Sequence, residues 1–499
     1  MSDNNRETLG SRIGFILLTA GCAIGLGNIW RFPYITGKYG GACFVAFYLF
    51  FLAVMGLPLT VMELSIGRAS KRTLYGAAKV LSHSHANAWK VPAFVFCFGC
   101  VVLMIFYTTV TGWMLNYTWD YLFGGLSALD TDAIGGHFGA LLNSPWKNVL
   151  FMTITVAAGS AICGAGLKNG VERVSKILMS GLFVLLVALC IRALFLPGAK
   201  EGLNFYLVPN MKSVHEAGLF EVLVAAMGQA FFTLSLGVGS ITIFGSYIGR
   251  DHSLMKESVI IILLDTAVAV LSGIVIFPAC MSYGVDVSSG PGLVFLSLPD
   301  VFNHMPLSRL WGSVFFLFMS AAAFTTVIAV FENIIAFMID ELHYSRPKAA
   351  AVNTVVIFVF SLPCALGFNL LSGVHPLGGD STFLDLEDYI VSDILLPLGS
   401  VFTVVFCGAA SAWGWKNFFA EANSGKGMKL PLRTRWYLFT ILPLAIVALF
   451  VIGTIKRWWP EDRQTDNPPI EETVNPDVPI IEETVLQDVV VVEETNTTP

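Results

Sequence analysis

The amino-acid sequence predicts an all-α integral membrane protein with eleven transmembrane helices. Hydrophobic residues make up 55% of the 499 residues and charged residues 13%, whereas an average soluble domain is about 25% charged. Apolar runs of about 20 residues, the length that crosses a bilayer, follow one another along the chain. Lysine and arginine are concentrated in alternate connections between these runs, as in multi-pass membrane proteins. A soluble globular fold is therefore excluded.

The apolar runs define the predicted helices, which we number 1 to 11 in chain order. The first run is too long for a cleavable signal peptide and is not followed by a small-residue cleavage site, so we expect helix 1 to be retained. The runs occupy residues 12–36, 41–66, 91–121, 148–164, 174–195, 219–247, 257–282, 311–338, 349–369, 389–413 and 434–455. The predicted division is an N-terminal segment at 1–11, helices 1–5 at 12–195, helices 6–10 at 219–413, helix 11 at 434–455 and a tail at 458–499.

The distribution of charge predicts the orientation. A cytoplasmic N-terminus puts most of the 29 lysines and arginines on the cytoplasmic side, as the positive-inside rule requires. We therefore expect a multi-pass protein of a bacterial inner membrane, with the tail on the periplasmic or extracellular side. The tail is acidic and carries a proline-containing repeat, which is typical of a disordered segment. The nine cysteines lie mostly within apolar runs, and we interpret them as reduced core residues.

Helices 1 and 6 share a glycine-rich, polar interruption, at residues 21–28 and 233–240. Because the two helices start five spans apart, they cross the membrane in opposite directions, which predicts a five-plus-five inverted repeat. Paired interruptions of this kind indicate a binding site near the middle of the membrane. The alternative is a packing face of small residues, but packing explains poorly why Asn28, Thr233 and Ser235 lie there.

Interrupted helices expose backbone groups that a continuous helix would pair internally. Carbonyl oxygens suit a small hard cation, and amides suit a carboxylate. A zwitterionic amino acid transported with Na⁺ would use both. In helix 8, Thr325 and Thr326 could complete an oxygen cage, although threonines in membrane helices commonly bond back to their own helix.

Charged residues inside apolar runs are costly and usually functional. Arg31 and Asp388 lie near the outer ends of helices 1 and 10, whereas Arg6 and Asp340 lie near the inner ends of helices 1 and 8. This placement suits ion pairs that form on opposite sides of a central site. The alternative for Arg6 and Asp340 is that they snorkel to the membrane interface. The remaining residues of this kind are Glu63, Asp265 and Glu332.

Five segments carry sequence motifs in a fixed order. They are Gly25-Leu26-Gly27-Asn28-Ile29-Trp30-Arg31-Phe32-Pro33, Gly40-Gly41, Glu63-Leu64-Ser65-Ile66-Gly67-Arg68, Gly170-Val171-Glu172-Arg173-Val174-Ser175-Lys176 and Gln229-Ala230-Phe231-Phe232-Thr233-Leu234-Ser235-Leu236-Gly237. In this combination the chain resembles the neurotransmitter:sodium symporter family, whose bacterial members include a leucine transporter and transporters of hydrophobic and aromatic amino acids. The resemblance spans about residues 6 to 455 and implies a leucine-transporter-like fold.

The resemblance implies two Na⁺ sites and Na⁺-coupled uptake of an amino acid by alternating access. The first Na⁺ would also bind the substrate carboxylate, which couples ion and substrate directly. The residues implied for the first Na⁺ are Ala23, Asn28, Thr233 and Asp265. Those implied for the second Na⁺ are Gly21, Ile24, Ala322, Thr325 and Thr326.

The resemblance also implies a substrate pocket between two gates. Tyr107 would bind the substrate carboxylate, and Phe232 would cover the pocket. The implied substrate-binding residues are Cys22, Ala23, Gly25, Gly27, Leu103, Tyr107, Phe231, Phe232, Thr233, Ser235, Val238, Thr326 and Val330. The implied outer gate is Arg31, Asp388, Tyr107 and Phe232, and the implied inner gate is Arg6, Ser246, Tyr247, Glu332 and Asp340.

Two departures from the family pattern bear on the substrate. Amine-transporting members have an aspartate at the position of Gly25, so the glycine here implies a substrate that brings its own carboxylate. Val238 replaces a bulkier family residue in an apolar side-chain pocket that includes Leu103, Val327 and Val330. The extra room favours a neutral amino acid with a medium or large apolar side chain, including an aromatic one.

A third departure bears on chloride. Chloride-dependent members bind the anion near the positions of Tyr48 and Gln229, and the leucine transporter replaces it with a glutamate at the position of Ala269. Here Asp265 stands where the family has an asparagine. We therefore expect Asp265 to supply the fixed negative charge, with Tyr48 and Gln229 nearby, and transport to be independent of chloride.

Other classes of function have little support. The sequence contains no G-x-x-x-x-G-K-[ST], H-E-x-x-H or G-x-S-x-G motif, and its eight histidines form no ligand-like cluster. We therefore expect no enzyme, no organic cofactor and no nucleic-acid partner, only the bilayer and a small amino acid. A sensor that keeps the fold without transporting is the remaining alternative. The preferred amino acid, the Na⁺ stoichiometry and the oligomeric state stay open.

Overall fold

The computed structural model describes residues 7–284 and 292–458. Within these ranges the chain consists of helices and their connections, without strands apart from one isolated bridge between His252 and Lys426. The predicted all-helical class is confirmed. Arg6 and residues 459–499 of the acidic tail lie outside the described residues, so the predictions made for them are untested.

The helices follow the predicted order. Helix 1 consists of Arg12–Ala23 and Gly27–Lys38, and helix 6 of Leu219–Thr233 and Ser240–Gly245. The other spans are Ala42–Ser70 (helix 2), Ala86–Leu122 (helix 3), Pro145–Gly164 (helix 4), Leu167–Leu194 (helix 5), Leu254–Tyr283 (helix 7), Ser308–Leu342 (helix 8), Arg346–Leu366 (helix 9), Phe383–Gly408 (helix 10) and Leu432–Ile455 (helix 11). Short helices in the connections are Leu74–Leu81, Thr131–Leu142, Ala199–Leu207, Met211–Ala217, Leu293–Asn303 and Trp415–Ala422.

The number of membrane spans depends on how the interrupted helices are counted. In the described ranges, 9 uninterrupted helices are long and apolar enough to cross a membrane. The two halves of helix 1 are bent by 56° relative to each other, and the number of spans rises to 10 if they are counted as one span. The halves of helix 6 have 15 and 6 residues, so neither is long enough alone. The predicted total of eleven joins these halves across the interruption and stays a prediction.

Helix 1 is interrupted over residues 24–26. Ile24 still donates its N–H to the Ala20 carbonyl at 2.7 Å, but its backbone is extended and the helical pattern stops there. The side chain of Asn28 replaces one missing partner, because its Oδ1 accepts from the Gly25 N–H at 3.1 Å. The first half of the helix begins at Ser11, whose hydroxyl caps it by accepting from the Gly14 N–H at 3.0 Å.

Helix 6 is unwound over residues 234–239. The residues with positive φ in this segment are Ser235 (49°), Gly237 (99°) and Gly239 (74°). Such left-handed backbone cannot continue an α-helix. Glu63 of helix 2 holds the segment, because its Oε1 accepts from the Gly237 N–H at 2.7 Å. Unwound backbone at membrane depth must be enclosed by protein, and this buried carboxylate is part of the enclosure.

Helices 3 and 8 form the centre of the bundle and pack against each other. Of their most apolar stretches, 67% and 78% of the residues are buried, compared with 17% for helix 11. The first half of helix 1 and the second half of helix 6 both contact helix 8 and also contact each other. The two interruptions are therefore enclosed at the centre of the protein.

Candidate functional site

Asp265 of helix 7 joins the two interrupted helices. Its carboxylate accepts from Asn28 Nδ2 at 2.8 Å and from Thr233 Oγ1 at 3.2 and 3.4 Å, and its backbone carbonyl accepts from Asn28 Nδ2 at 3.2 Å. All three side chains are at most 1% exposed. Ala23, the fourth residue predicted for the first Na⁺, is buried at the end of the first half of helix 1. One carboxylate with amide, hydroxyl and carbonyl oxygens suits a small hard cation.

A second group of oxygens lies between helices 1 and 8. The Thr326 hydroxyl donates to the carbonyls of Gly21 and Ile24, at 3.2 Å in each case. The Thr325 hydroxyl donates to the Ala322 carbonyl at 2.8 Å, so the back-bonded alternative holds for Thr325 but not for Thr326. The structure thus brings together all five residues predicted for the second Na⁺, and the oxygens are neutral and buried.

Gly25 lies where helices 1, 3 and 8 come closest. A Cβ atom added to Gly25 would lie 2.5 Å from the Tyr107 hydroxyl and 2.8 Å from Thr326 Oγ1. The Leu26 N–H, freed by the interruption, donates to the same Tyr107 hydroxyl at 3.2 Å. A backbone amide outside the helical pattern and a phenol hydroxyl beside a glycine form a small polar site, which suits a carboxylate.

Most of the residues predicted for the substrate side-chain pocket are apolar. Cys22 of helix 1, Leu103 of helix 3, Val238 of helix 6 and Val330 of helix 8 are all buried. The structure places them on the four helices that surround the interruptions. Val327 is buried on the same helix as Val330, and Ser235 is half-buried in the unwound segment of helix 6.

A cavity of about 170 Å³ adjoins the polar site at Gly25 and is lined by Leu26, Arg31, Tyr107, Phe232 and Asp388, among others. The Arg31 guanidinium lies over the Phe232 ring, 4.1 Å from its centroid. Asp388 accepts from the Ser392 hydroxyl at 2.6 Å. Arg31 and Asp388 thus share the cavity without forming an ion pair with each other. Phe232 also contacts helix 1, because a Cβ on Gly27 would lie 3.0 Å from its ring.

Phe231, the chain neighbour of Phe232, lines a second cavity. Phe231 is 4% exposed, and this cavity, of about 280 Å³, lies between helices 1, 6, 10 and 11. Arg31 and Phe232 border both cavities. Phe231 does not line the cavity that adjoins Gly25 and Tyr107.

Tyr48 and Gln229 lie close to the Asp265 group. Gln229 Nε2 donates to the Gly27 carbonyl at 2.9 Å, which ties helix 6 to the second half of helix 1. The Tyr48 hydroxyl and Gln229 Oε1 are buried and have no hydrogen-bond partner among the residues that the structure describes.

Glu332 of helix 8 is the centre of a charged network on the opposite side of the interruptions. It is 0% exposed and accepts from the Tyr247 hydroxyl at 2.7 Å and from Arg346 at 2.7 and 3.1 Å. Arg346 also donates to Glu7 at 2.9 Å. Tyr247 and Glu332 were predicted for the inner gate, whereas Arg346 and Glu7 were not.

Ser246 and Asp340 are the other described residues that were predicted for the inner gate. Ser246 donates to the Ile243 carbonyl of its own helix at 2.6 Å, and its own carbonyl accepts from Lys71 at 3.2 Å. Asp340 is half-buried two residues before the end of helix 8. Arg346 lies 14 residues after Glu332 across a chain reversal, so no periodicity in the sequence could have paired them.

Glu172 at the start of helix 5 is a further residue for which no role is predicted from the sequence. It is 3% exposed and accepts from the Gly10 N–H at 2.6 Å, the Ser11 hydroxyl at 2.8 Å and Lys176 at 2.6 Å. A Cβ on Gly14 would lie 2.1 Å from its Oε1. The first half of helix 1 is therefore held closely against helix 5 by one buried carboxylate.

Two interrupted helices that meet at buried oxygen clusters inside a multi-pass bundle define a secondary transporter. The chain belongs to the sodium:neurotransmitter symporter family, because the model of that family matches residues 6–128 and 141–470. The predicted resemblance is confirmed. The protein is a Na⁺-dependent, multi-pass membrane transporter and not an enzyme.

Two relatives are similar over nearly their whole length. The uncharacterized sodium-dependent transporter YhdH of Bacillus subtilis (strain 168) is 32% identical over 453 residues, covering 90% of this chain and 98% of the relative. An uncharacterized sodium-dependent transporter of Haemophilus influenzae is 31% identical over 464 residues, covering 90% and 99%.

The fold is also similar to a crystal structure of MhsT in complex with L-phenylalanine. The TM-score is 0.80 and the identity 36%, and the match covers 90% of this chain and 99% of MhsT. The predicted leucine-transporter-like architecture with interrupted helices 1 and 6 is thereby confirmed.

Proposed function

We propose that the protein takes up a neutral, apolar amino acid together with two Na⁺ ions, at the site between its interrupted helices. The observation that carries this proposal is the polar site at Gly25, where the Leu26 amide and the Tyr107 hydroxyl converge and no side chain fits. A carboxylate is the ligand that such donors favour. An amine lacking a carboxylate would find no acidic partner at position 25.

The first Na⁺ binds at Asn28, Thr233, Asp265 and the Ala23 carbonyl, and the substrate carboxylate completes its shell. Ion and substrate then stabilise each other, because neither has its full set of ligands alone. The second Na⁺ binds at the carbonyls of helix 1 and the hydroxyls of helix 8. The contacts of Thr326 with both Gly21 and Ile24 support this assignment.

Transport is independent of chloride in this proposal. Asp265 already provides a buried negative charge beside the first Na⁺ position, so no exogenous anion is needed to balance the ion. Tyr48 and Gln229 then belong to the surroundings of that carboxylate rather than to an anion site.

The substrate side chain lies among Leu103, Val238, Val327 and Val330, with Phe232 as its cover. The walls are apolar and buried, which favours an apolar side chain over a polar one. The structure of MhsT holds L-phenylalanine, and this supports an aromatic or large aliphatic substrate for the present chain. L-Phenylalanine is therefore the first substrate to test.

Alternating access follows from the two ends of the site. Glu332, Tyr247 and Arg346 close one side, which we assign to the cytoplasm, while the cavity at Arg31 and Asp388 adjoins the other. Substrate binding draws Phe232, Arg31 and Asp388 together, and release into the cell requires the Glu332 network to open. We place the N-terminus in the cytoplasm of a bacterial cell, and the tail outside.

Uptake by proteoliposomes tests the proposal. The purified protein should accumulate labelled L-phenylalanine when an inward Na⁺ gradient is imposed, and should not do so with K⁺ in place of Na⁺ or with a plain monoamine as substrate. Na⁺-dependent binding without accumulation would contradict transport and identify the protein as a sensor. Competition by all twenty amino acids then ranks the substrates.

A further inference from the structure

A polar cluster lies beneath the proposed substrate pocket and has no part in ion binding. Asn333 of helix 8 donates its Nδ2 to the Gly239 carbonyl at 3.2 Å and to Cys100 Sγ at 3.1 Å. The Cys100 thiol in turn donates to the Val238 carbonyl at 3.4 Å. Asn333 and Cys100 are 3% and 1% exposed.

The cluster forms the floor of the pocket, because each of three helices contributes one wall residue and one cluster residue. Residues three apart lie on the same face of a helix, one turn from each other. The pairs are Leu103 with Cys100 on helix 3, Val330 with Asn333 on helix 8, and Val238 with Gly239 in the unwound part of helix 6.

The two carbonyls in the cluster belong to unwound backbone. A buried carbonyl without a donor at membrane depth costs several kcal/mol. The second half of helix 6 begins at Ser240, so it supplies no donor to the Val238 carbonyl, and the Cys100 thiol donates there instead. Gly239 is the N-cap residue of that half, and Asn333 gives its carbonyl a donor from helix 8 in addition to the first hydrogen bond of the helix. The direction of the chain directly after Val238, whose side chain is a wall of the proposed pocket, is therefore held by Asn333.

The opposite side of Asn333 is apolar and open. Asn333 also lines a cavity of about 180 Å³ between helices 3, 8 and 9, together with Phe98, Val101 and Phe337. Its side chain thus stands between the pocket floor and unfilled space, so a shorter residue would connect the two.

We propose that Asn333 is a positioning residue that sets the depth of the substrate pocket, and with it the length of the substrate side chain. It holds the Gly239 carbonyl in place and closes the floor. This proposal rests on the proposed function, in that the substrate is an amino acid whose side chain points toward Val238.

Two substitutions of opposite effect test the role of Asn333. Asn333→Ala removes the donor and opens the floor toward the cavity, so the ratio of kcat/KM for L-tryptophan to that for L-valine should rise, by about 10-fold. Asn333→Gln keeps the amide but lengthens the side chain, so the same ratio should fall. In both variants the change should lie mainly in KM, because the depth of the pocket acts on binding.

Asn353→Ala is the matched control. Asn353 is a buried asparagine of helix 9 that donates to Ser160 at 3.0 Å, and its loss should slow transport of both amino acids equally or not at all. Equilibrium binding of the two amino acids to the folded, monodisperse fraction in detergent gives the same ratio even if a variant inserts poorly. An unchanged ratio in both Asn333 variants would overturn the proposal. Absence of uptake by the wild-type protein would contradict the proposed function instead, and the binding ratio would still decide the role of Asn333.

Discussion

At the scale of single residues, the site depends on a glycine that leaves no room for a side chain and on a buried carboxylate. Gly25 faces the Tyr107 hydroxyl and Thr326 so closely that no Cβ fits. Asp265 is bonded by both interrupted helices at once and is 0% exposed. A buried carboxylate of this kind requires a compensating charge, which a bound cation provides.

Gly25→Ala should weaken substrate binding. Forcing a methyl group into this polar site costs about 1–3 kcal/mol, or roughly 5- to 150-fold in affinity, because the Tyr107 hydroxyl must move away from the Leu26 amide. Binding of labelled L-phenylalanine by scintillation proximity measures the change. Gly181→Ala in helix 5 is the control, since a Cβ there would have nothing within 4 Å. Equal affinities in the two variants would contradict the proposed polar site.

Asp265→Asn should make transport dependent on chloride. The substitution keeps the shape of the side chain but removes its negative charge, and leaving the Na⁺ uncompensated costs several kcal/mol. Uptake in chloride-free buffer should fall by an order of magnitude or more, and chloride should restore part of it. Glu201 is exposed, and Glu201→Gln serves as the control for loss of an acidic group. If chloride has no effect on Asp265→Asn, the fixed-charge role is wrong.

At the scale of elements, buried carboxylates hold the interrupted helices in place. Glu63 binds the unwound segment of helix 6 through the Gly237 amide, and Glu172 binds the start of helix 1 through Gly10 and Ser11. Both acids lie on neighbouring helices that are themselves continuous at these points. The interrupted helices are thus attached at defined positions, and they can move only if these contacts break.

Glu172→Ala should shift the protein toward a state open to the cytoplasm. Hydrogen bonds to a charged group are each worth about 1.5–3 kcal/mol, so the first half of helix 1 should detach more readily from helix 5. Cys22, which is 0% exposed in this structure, should then react faster with a thiol reagent. Mass spectrometry resolves Cys22 from the other cysteines. Glu201→Ala, the control, should leave the rate of Cys22 labelling unchanged. An unchanged rate in Glu172→Ala would contradict the expected movement of helix 1.

At the scale of the whole molecule, the structure is closed on one side of the site and holds a cavity on the other. The Glu332 network joins helix 8, the end of helix 6, the start of helix 9 and the N-terminal segment. The cavity at Arg31 and Asp388 is lined by Tyr107. If the Glu332 side faces the cytoplasm, as proposed, this asymmetry is the arrangement expected of a carrier ready to receive substrate from outside the cell.

Na⁺ should stabilise the whole fold. Ligands that bind only the folded state raise its stability by about 2.7 kcal/mol at 100 times the Kd, and the two oxygen clusters join helices 1, 6, 7 and 8. The midpoint of thermal unfolding in detergent should therefore be higher in Na⁺ than in K⁺ at equal ionic strength, and higher again with L-phenylalanine. Identical midpoints in both salts would contradict ion binding at these clusters.

Much of the candidate site could be predicted from the sequence, because the family motifs are local. Asn28 and Thr233 lie in or beside interruptions that glycine spacing and polarity reveal, whereas Thr325 and Thr326 are an adjacent pair of hydroxyl residues in the continuous helix 8. The structure brings together the residues predicted for the two Na⁺ sites. The roles of these residues in ion binding stay proposals. Phe231, predicted for the substrate pocket, lines a different cavity, and residue identity alone could not indicate which way its ring points.

Arg346, Glu172 and Asn333 could not be assigned a partner from the sequence. Each acts on a residue of another helix, and its contacts are fixed by how those helices pack. In the sequence, Arg346 is only a basic residue near the membrane surface. Asn333 is only one polar residue in a long apolar helix. Their functions depend on distances through space, which hydropathy and periodicity do not contain.

The sequence by itself determined the membrane class, the order of the helices and the place of both interruptions, because apolar length, glycine and charge act along the chain. The tertiary structure alone decided that helices 1 and 6 meet at Asp265, that Arg346 pairs with Glu332, and that Asn333 of helix 8 donates to the Gly239 carbonyl of helix 6. Those outcomes depend on the packing of helices 3 and 8 at the centre of the bundle. Packing of that kind is a property of the folded chain as a whole.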